Sequence, residues 1–361
     1  MEDIEIEDSI ASRLGLGLAA IGRPAYITAG RTKDLGEGAD RSVDAMRERA
    51  HKLLDAAWWL GIRYVDAARS YGRAEEFLGS WLAAHPGYRD ELTIGSKWGY
   101  EYTGDWRLDA PQQERKEHSL AMFERQWAQT LETLGTEPDV YLVHSLTSDS
   151  TALDDGALLD RLRALRESGV RVGFSTSGPA QAAVIERALG LADSPFSAVQ
   201  STWNLLEPSV GEALAAANDA KWLVVVKEVL ANGRLTSRAA SAGAAGSDGS
   251  VPGAAGGAVP DAAVAAAAAL AAEDGQRLDG LAIGAAAAAL AAEDGQRLDG
   301  LAIGAAVAHP WADIVLTGAV TRKQLKQNLE ARAPSLDEER LAALAEPAEQ
   351  YWEARAARPW S

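Results

Sequence analysis

The chain contains no cysteine, which removes structural disulfides, thiolate-bound zinc and thiol nucleophiles together. Histidine is scarce as well. The five histidines are His51, His85, His118, His144 and His309, and only His144 ends an apolar run, so a metal-dependent hydrolase lacks its ligands and no metal is expected. Positive charge is in deficit: 35 Lys and Arg face 52 Asp and Glu, a formal net charge of −17. The cations are scattered rather than gathered into a stripe, a field that repels a phosphate backbone and argues against nucleic acid as a partner. No apolar run approaches the roughly 18 residues of a membrane span, since the alanine-rich stretch 262–272 stops at Glu273-Asp274. The opening MEDIEIEDSI has neither the basic nor the apolar region of a signal peptide. The reading is a soluble chain, expected in the cytoplasm, with no nucleic-acid or membrane partner.

What is present is an ordinary globular composition, 47% apolar and 24% charged, arranged with a strong rhythm. Short β-branched runs alternate with segments of helical period, the pattern of a parallel sheet wrapped by helices. Eight such runs can be counted, near Leu14, Tyr64, Ile94, Leu142, Gly173, Val199, Val225 and Val315. Helical segments follow at about 41–60, 74–84, 115–134, 155–168, 179–190, 208–219, 259–308 and 321–331, and eight units close a (β/α)8 TIM barrel. Pieces near 336–346 and 348–357 are extra C-terminal helices. The expected organisation is a single barrel domain over 1–361 with an insertion after the seventh strand.

That insertion has two parts. Residues 237–260 are dominated by Gly, Ala and Ser, a composition suited equally to a linker or to a flexible flap at the barrel mouth. Next, AAAAALAAEDGQRLDGLAIG stands at 265–284 and recurs unchanged at 285–304. Two units are too few for a solenoid. The second copy runs directly into the eighth strand and is expected to supply the seventh barrel helix; the first is then an insertion whose removal leaves fold and activity intact, with equal or higher stability.

Polar residues stand at the C-terminal ends of the apolar runs: Asp66, Lys97, His144, Ser175 with Thr176, Gln200, Lys227 with Glu228, and Gly318. In a closed barrel these ends meet in one ring. Taken singly, Asp66 reads as a cap, Tyr71 as a packing residue, Lys97 as a solvent-reaching lysine and His144 as a core histidine. Together they form a proton-delivery device. A tyrosine hydroxyl, with an ordinary pKa of about 10, needs a nearby cation to release its proton. Lys97 is the candidate cation, Asp66 its counter-ion, and His144 a donor toward a carbonyl oxygen. None is a nucleophile in this scheme, so the reactive group comes from a cofactor.

The segment GIRYVDAARSYGRAEEFLGSWL, followed by Lys97, His144, GFSTS, VQSTWNLLEP, LANGRLT and VLTGAVTRKQLKQNLEA, resembles the aldo-keto reductase superfamily over about residues 13–331. The resemblance implies reduction of an aldehyde or ketone by hydride from NADPH, with NADH possible, and Asp66, Tyr71, Lys97 and His144 as the catalytic group. It places Ser175, Gln200 and Trp203 at the nicotinamide, and Leu230, Gly233 and Leu235 along the pyrophosphate. Gly318, Ala319, Arg322, Gln324 and Asn328 fall at the adenosine end. Gly318-Ala319 and Gln324 depart from the Lys-Ser and Arg of many NADPH-binding members. No GxGxxG strand-turn-helix is present, as expected of a family that binds its cofactor on the barrel. A cofactor-binding sensor with little turnover, and a Schiff-base lyase using Lys97 or Lys227, are the alternatives on the same barrel.

Overall fold

The computed structural model describes residues 9–27, 31–36, 38–236, 280–358 and 360. The flap or linker at 237–260 and residues 265–279 of the first repeat copy lie outside the described residues. In chain order the strands are β1 (Leu14–Gly17), β2 (Tyr64–Asp66), β3 (Thr93–Trp98), β4 (Tyr100–Tyr102), β5 (Glu114–Lys116), β6 (Val140–Leu146), β7 (Arg171–Thr176), β8 (Ala198–Thr202), β9 (Leu223–Lys227) and β10 (Ile314–Thr317). All but β4 and β5 close into a parallel barrel in the order β1-β10-β9-β8-β7-β6-β3-β2, with β1 against both β2 and β10. Each of the eight apolar runs counted in the sequence is one barrel strand.

Helices Val43–Trp59, Ala74–Ala84, Leu120–Leu134, Gly156–Glu167, Gln181–Leu189, Gly211–Asp219, Leu298–Ala308 and Arg322–Asn328 surround the barrel. Several begin where the sequence supplies a capping oxygen. Ser42 accepts from Ala45 N, Ser119 from Met122 N and Asp155 from Leu158 N, while Thr321 and Gln324 form a reciprocal capping box.

The barrel interior follows from strand alternation. Tyr64, Val140, Leu142, Ala198, Val225 and Leu316 pack together as the inner core. Glycines make room for them: a Cβ at Gly95 would overlap the Tyr64 hydroxyl, and one at Gly15 would meet Leu316, Ile314 and Tyr64. Two residues beyond Tyr64, Leu142, Ala198 and Val225 stand Asp66, His144, Gln200 and Lys227, so inward parity delivers these polar groups to the mouth.

Two expectations are corrected. The segment 115–134 is helical only from Leu120; Glu114–Lys116 instead pairs with Tyr100–Tyr102 as an antiparallel hairpin. The helical segment at 259–308, in which the second repeat copy was expected to be the seventh barrel helix, is, among the described residues, two helices, Gly280–Glu293 and Leu298–Ala308, broken at Asp294-Gly295. Gly295 adopts φ +67°, which glycine takes at no steric cost. The Asp294 carboxylate accepts from Ser335 N at 2.9 Å. The Gln296 carboxamide donates to Arg332 O and accepts from Arg332 N, both at 3.1 Å, satisfying that backbone as a neighbouring strand would. The last five residues of the first copy therefore open a helix that the second copy completes.

Candidate active site

Asp66 and Lys97 form the centre of the mouth. Lys97 Nζ donates to Asp66 Oδ2 at 2.6 Å and to Ala67 O at 3.0 Å, with the lysine side chain wholly buried. Two charges out of water are costly unless their remaining valences are met. Here Gln200 Nε2 donates to Asp66 Oδ1 at 2.8 Å. Burial lowers the lysine's proton affinity, and the Asp66 carboxylate works against that decrease.

Tyr71 lies on the loop after β2, its ring centroid 4.7 Å from Lys97 Nζ and 5.5 Å from the edge-on His144 ring. Burial first, and the Asp66 carboxylate second, raise its pKa well above the ordinary phenol value, so it is protonated at neutral pH. Burial and then Lys97 depress His144 well below the ordinary imidazole range, so it is neutral. Its Nδ1 meets Ser70 Oγ at 3.3 Å.

A cavity of about 280 Å³ opens on this group. Asp66, Tyr71 and Gln200 line it beside Leu230, Gly233, Gly318, Ala319, Gln324 and Asn328. Lys97 is bonded to Asp66 beneath the floor, and His144 stands against Tyr71. Ser175 is buried, with its Oγ accepting from Ser145 N at 2.7 Å. Leu235 is also buried, its N–H bonded to Leu230 O at 3.1 Å. Gln324 is occupied by its cap, accepting from Val320 N at 2.9 Å and Thr321 N at 3.2 Å. Arg322 lines a neighbouring groove with Arg49, Lys52 and Lys326, which shares Val320 with the cavity.

Trp203 is not brought to the cavity. It follows the last residue of β8 and packs edge-on against His309 and Trp311, at 4.6 and 5.9 Å between centroids.

Lys227 and Glu228, read from sequence as strand-end polar residues without a cofactor role, belong to the same mouth. Lys227 ends β9 and lines the cavity, donating to Thr202 Oγ1 at 2.7 Å; burial pulls its amine down to about 8. Burial alone would raise the adjacent Glu228 carboxyl, but Arg355 and Lys227 more than offset that and hold it at about 2. Arg355 Nε donates to Glu228 Oε2 at 2.8 Å, tying the C-terminal helix Ala348–Ala356 to the mouth. The polar end of VVVKE was the available signal for Lys227 and Glu228. Backbone strain gathers at the same rim, where Ser145, Glu228, Ala231 and Asn232 all have φ between +47° and +56°.

One polar atom fits an incoming ligand. Gln200 Oε1 is buried without a hydrogen-bond partner, an acceptor that an amide N–H from the cavity would satisfy. Among the described residues no cluster of three His, Asp or Glu could hold a metal, and no helix is long and apolar enough to cross a membrane.

The aldo/keto reductase family model matches residues 32–349. A D-threo-aldose 1-dehydrogenase of Pseudomonas sp is 28% identical over 229 residues, 56% of this chain and 67% of that protein. The glycerol dehydrogenase of Gluconobacter oxydans superposes with TM-score 0.62 at 20% identity, covering 96% of this chain and 92% of its own. The holo form of an aldo-keto reductase from Bacillus halodurans superposes with TM-score 0.58 at 20% identity, covering 94% and 95%. These superpositions speak to the shared barrel and the family match to lineage: this chain, a carbonyl oxidoreductase by kind, belongs to the aldo/keto reductase family.

Proposed function

We propose that this chain reduces an aldehyde or ketone to an alcohol with NADPH, NADH being a weaker alternative, and that Tyr71 donates the proton. The observation that carries this reading is a phenol on the cavity surface, kept protonated by burial, with a neutral imidazole on one side and a lysine-carboxylate pair beneath. A bound nicotinamide supplies the hydride. The chain's own groups do the rest. With Nδ1 of His144 accepting from Ser70, its Nε2 carries the hydrogen and donates to the carbonyl oxygen, holding it toward Tyr71. The Tyr71 hydroxyl then protonates that oxygen as charge develops on it. Lys97, with Asp66 as its counter-ion, is the cation beside the phenol.

The cofactor's carboxamide would be held by Gln200, whose Oε1 has an acceptor site to offer, and by Ser175, whose Oγ already accepts from Ser145 N. Leu230 and Gly233 form the wall along the phosphates, with Lys227 and Asn232 as polar groups of the same cavity. Gly318, Ala319 and Asn328 line the adenosine end, and Arg322, across Val320, serves a 2′-phosphate.

The test follows NADPH and NADH absorbance against aldehydes, ketones and sugars. Because the Pseudomonas relative is named for an aldose and the Gluconobacter enzyme for glycerol, aldoses and glyceraldehyde head the panel. Cofactor binding without turnover on any carbonyl would replace this reading by a sensor role. Lys227, an amine near 8 on the cavity wall, favours one other reading. Borohydride trapping of a substrate adduct on it, with no hydride transfer from NADPH, would establish a Schiff-base lyase instead.

A further inference from the structure

We propose that Arg23 is a positioning residue for proton transfer at Tyr71, orienting the phenol and setting how readily it ionises, with Glu114 as the opposing partner. The inference rests on Tyr71 being the proton donor. Arg23 lies on the loop after β1 and is 3% exposed. Its Nη1 donates to Ser70 O at 3.0 Å, the carbonyl directly preceding Tyr71, and to Glu114 Oε1 of the β4–β5 hairpin at 2.6 Å. Its Cζ stands 5.4 Å from the Tyr71 ring centroid, 5.4 Å from Tyr26 and 4.6 Å from Trp360. Three rings thus surround one guanidinium, and one of them is the proton donor.

The two loops are held at contact. Arg73 N donates to Gly22 O at 2.7 Å. A Cβ at Gly22 would overlap Tyr71 O, and one at Gly72, itself at φ +61°, would overlap Gly22 O. Only glycine at both places allows this approach. A fixed cation 5.4 Å from a phenol ring favours the phenolate, and a nearby carboxylate disfavours it.

The groups facing Tyr71 are Asp66 from β2, Lys97 from β3, His144 from β6, Arg23 and Tyr26 from the β1 loop, and Glu114 from β5. Lys97 is bonded to Asp66, and His144 is neutral. Of the charges around the phenol, Arg23 acts to lower its pKa, whereas Asp66 and Glu114 raise it. Arg23 also joins four segments, the β1 loop, the β2 loop, the hairpin and the C-terminal tail, and so couples the roof of the site to its proton donor.

Alcohol oxidation supplies the test, because Tyr71 must then be ionised to take the hydroxyl proton while the hydride leaves for NADP⁺. Below the phenol pKa the oxidation rate follows the phenolate fraction, so a shift of one pKa unit reads as about tenfold at any fixed pH. Arg23→Met is expected to lower NADP⁺-dependent oxidation about tenfold between pH 7 and 9, with the NADP⁺ Kd within about twofold of the parent. Glu114→Gln is expected to raise it about threefold, a smaller shift from a partly exposed carboxylate. Arg23→Lys, which keeps the charge, should recover most of the loss. A purely structural clamp would lower the rate in both Arg23→Met and Glu114→Gln. That outcome, or an unchanged Arg23→Met, overturns the proposal. If Arg23→Met fails to fold, the sign of the Glu114→Gln effect decides alone. Should Tyr71→Phe still oxidise alcohols, the proton-donor assignment itself has failed, an outcome separate from the others.

Discussion

The sequence Gly-Leu-Ala-Ile-Gly occurs at 280–284 and again at 300–304, in two described helices, and the same letters meet opposite demands. Around Gly284 an added Cβ would touch nothing within 4 Å, whereas at Gly304 it would overlap the Arg332 carbonyl oxygen. Gly300 through Gly304 are all buried; of the earlier pair Ile283 and Gly284, Ile283 is buried and Gly284 half-buried. Surroundings, not letters, decide what a residue must be. The barrel mouth is the other extreme: Asp66, Lys97, Gln200 and Tyr71 each occupy a place that no second copy supplies.

The largest effect should come from the mouth. Tyr71→Phe is expected to lower carbonyl reduction by about two to four orders of magnitude while cofactor affinity changes little, since it removes an acid and not a cofactor contact. Retention of more than a tenth of parental turnover would erase the contrast between mouth and repeat.

Gly304→Ala comes next. The helix must move off the Arg332 backbone, an overpacking cost of about 3 kcal/mol, read as a lowered denaturation midpoint at unchanged slope. An unaffected midpoint would mean that the close approach is not obligatory.

Deleting 265–284 tests the repeat as a whole. Activity is expected to stay within a few-fold of the parent, because no mouth residue is touched. Equal or higher stability, the expectation from sequence, does not survive the structure. Ile283, 9% exposed, packs into the core with Ala287, Leu290 and Ala291, and the deletion puts Ala263 in its place. A loss of about 1–2 kcal/mol is expected for a side chain at a helix's first turn, measurable by urea unfolding; a gain would show Ile283 to be dispensable.

The smallest effect, with opposite sign, belongs to Gly284→Ala, an open helical position where alanine should add about 0.5–1 kcal/mol. Gly284→Ala and Gly304→Ala shifting stability in the same direction would break the comparison outright.

Much of the barrel was legible because each strand is an apolar run with inward parity. The polar residue closing that run, Asp66, Lys97, His144 or Gln200, announces itself locally. The features a local stretch of sequence does not carry depend on partners distant in the chain. The hairpin strand Glu114–Lys116 is largely exposed and carries no buried alternation to mark it. The break at Asp294-Gly295 needs Ser335 and Arg332, some forty residues on. Arg23 sits on an irregular loop, and its meaning arises only from Ser70, Glu114, Tyr71 and Trp360 converging on it. Trp203, which the resemblance sets at the nicotinamide, has its ring partners in His309 and Trp311, more than a hundred residues on.

The turn at Asp294–Gln296 has a single receptor, the Arg332–Ser335 segment, yet the chain spells Asp-Gly-Gln-Arg twice, at 274–277 and 294–297. Short-range recognition cannot separate the two. Shifted by twenty positions, the helix Leu298–Ala308 would become 278–288, and the sole change in its letters is Val307 to Ala287. What differs is the tether: from the second copy, residues 309–313 lead straight to β10, whereas the first would leave twenty surplus residues looped out. Loop closure grows only slowly with length, about 0.6 kcal/mol per doubling. The native threading is thus chosen by the length of the connection, by Val307, and by the preceding helix, where the shift would put Ala263 in the place of the core residue Ile283; two near-identical keys compete for one lock.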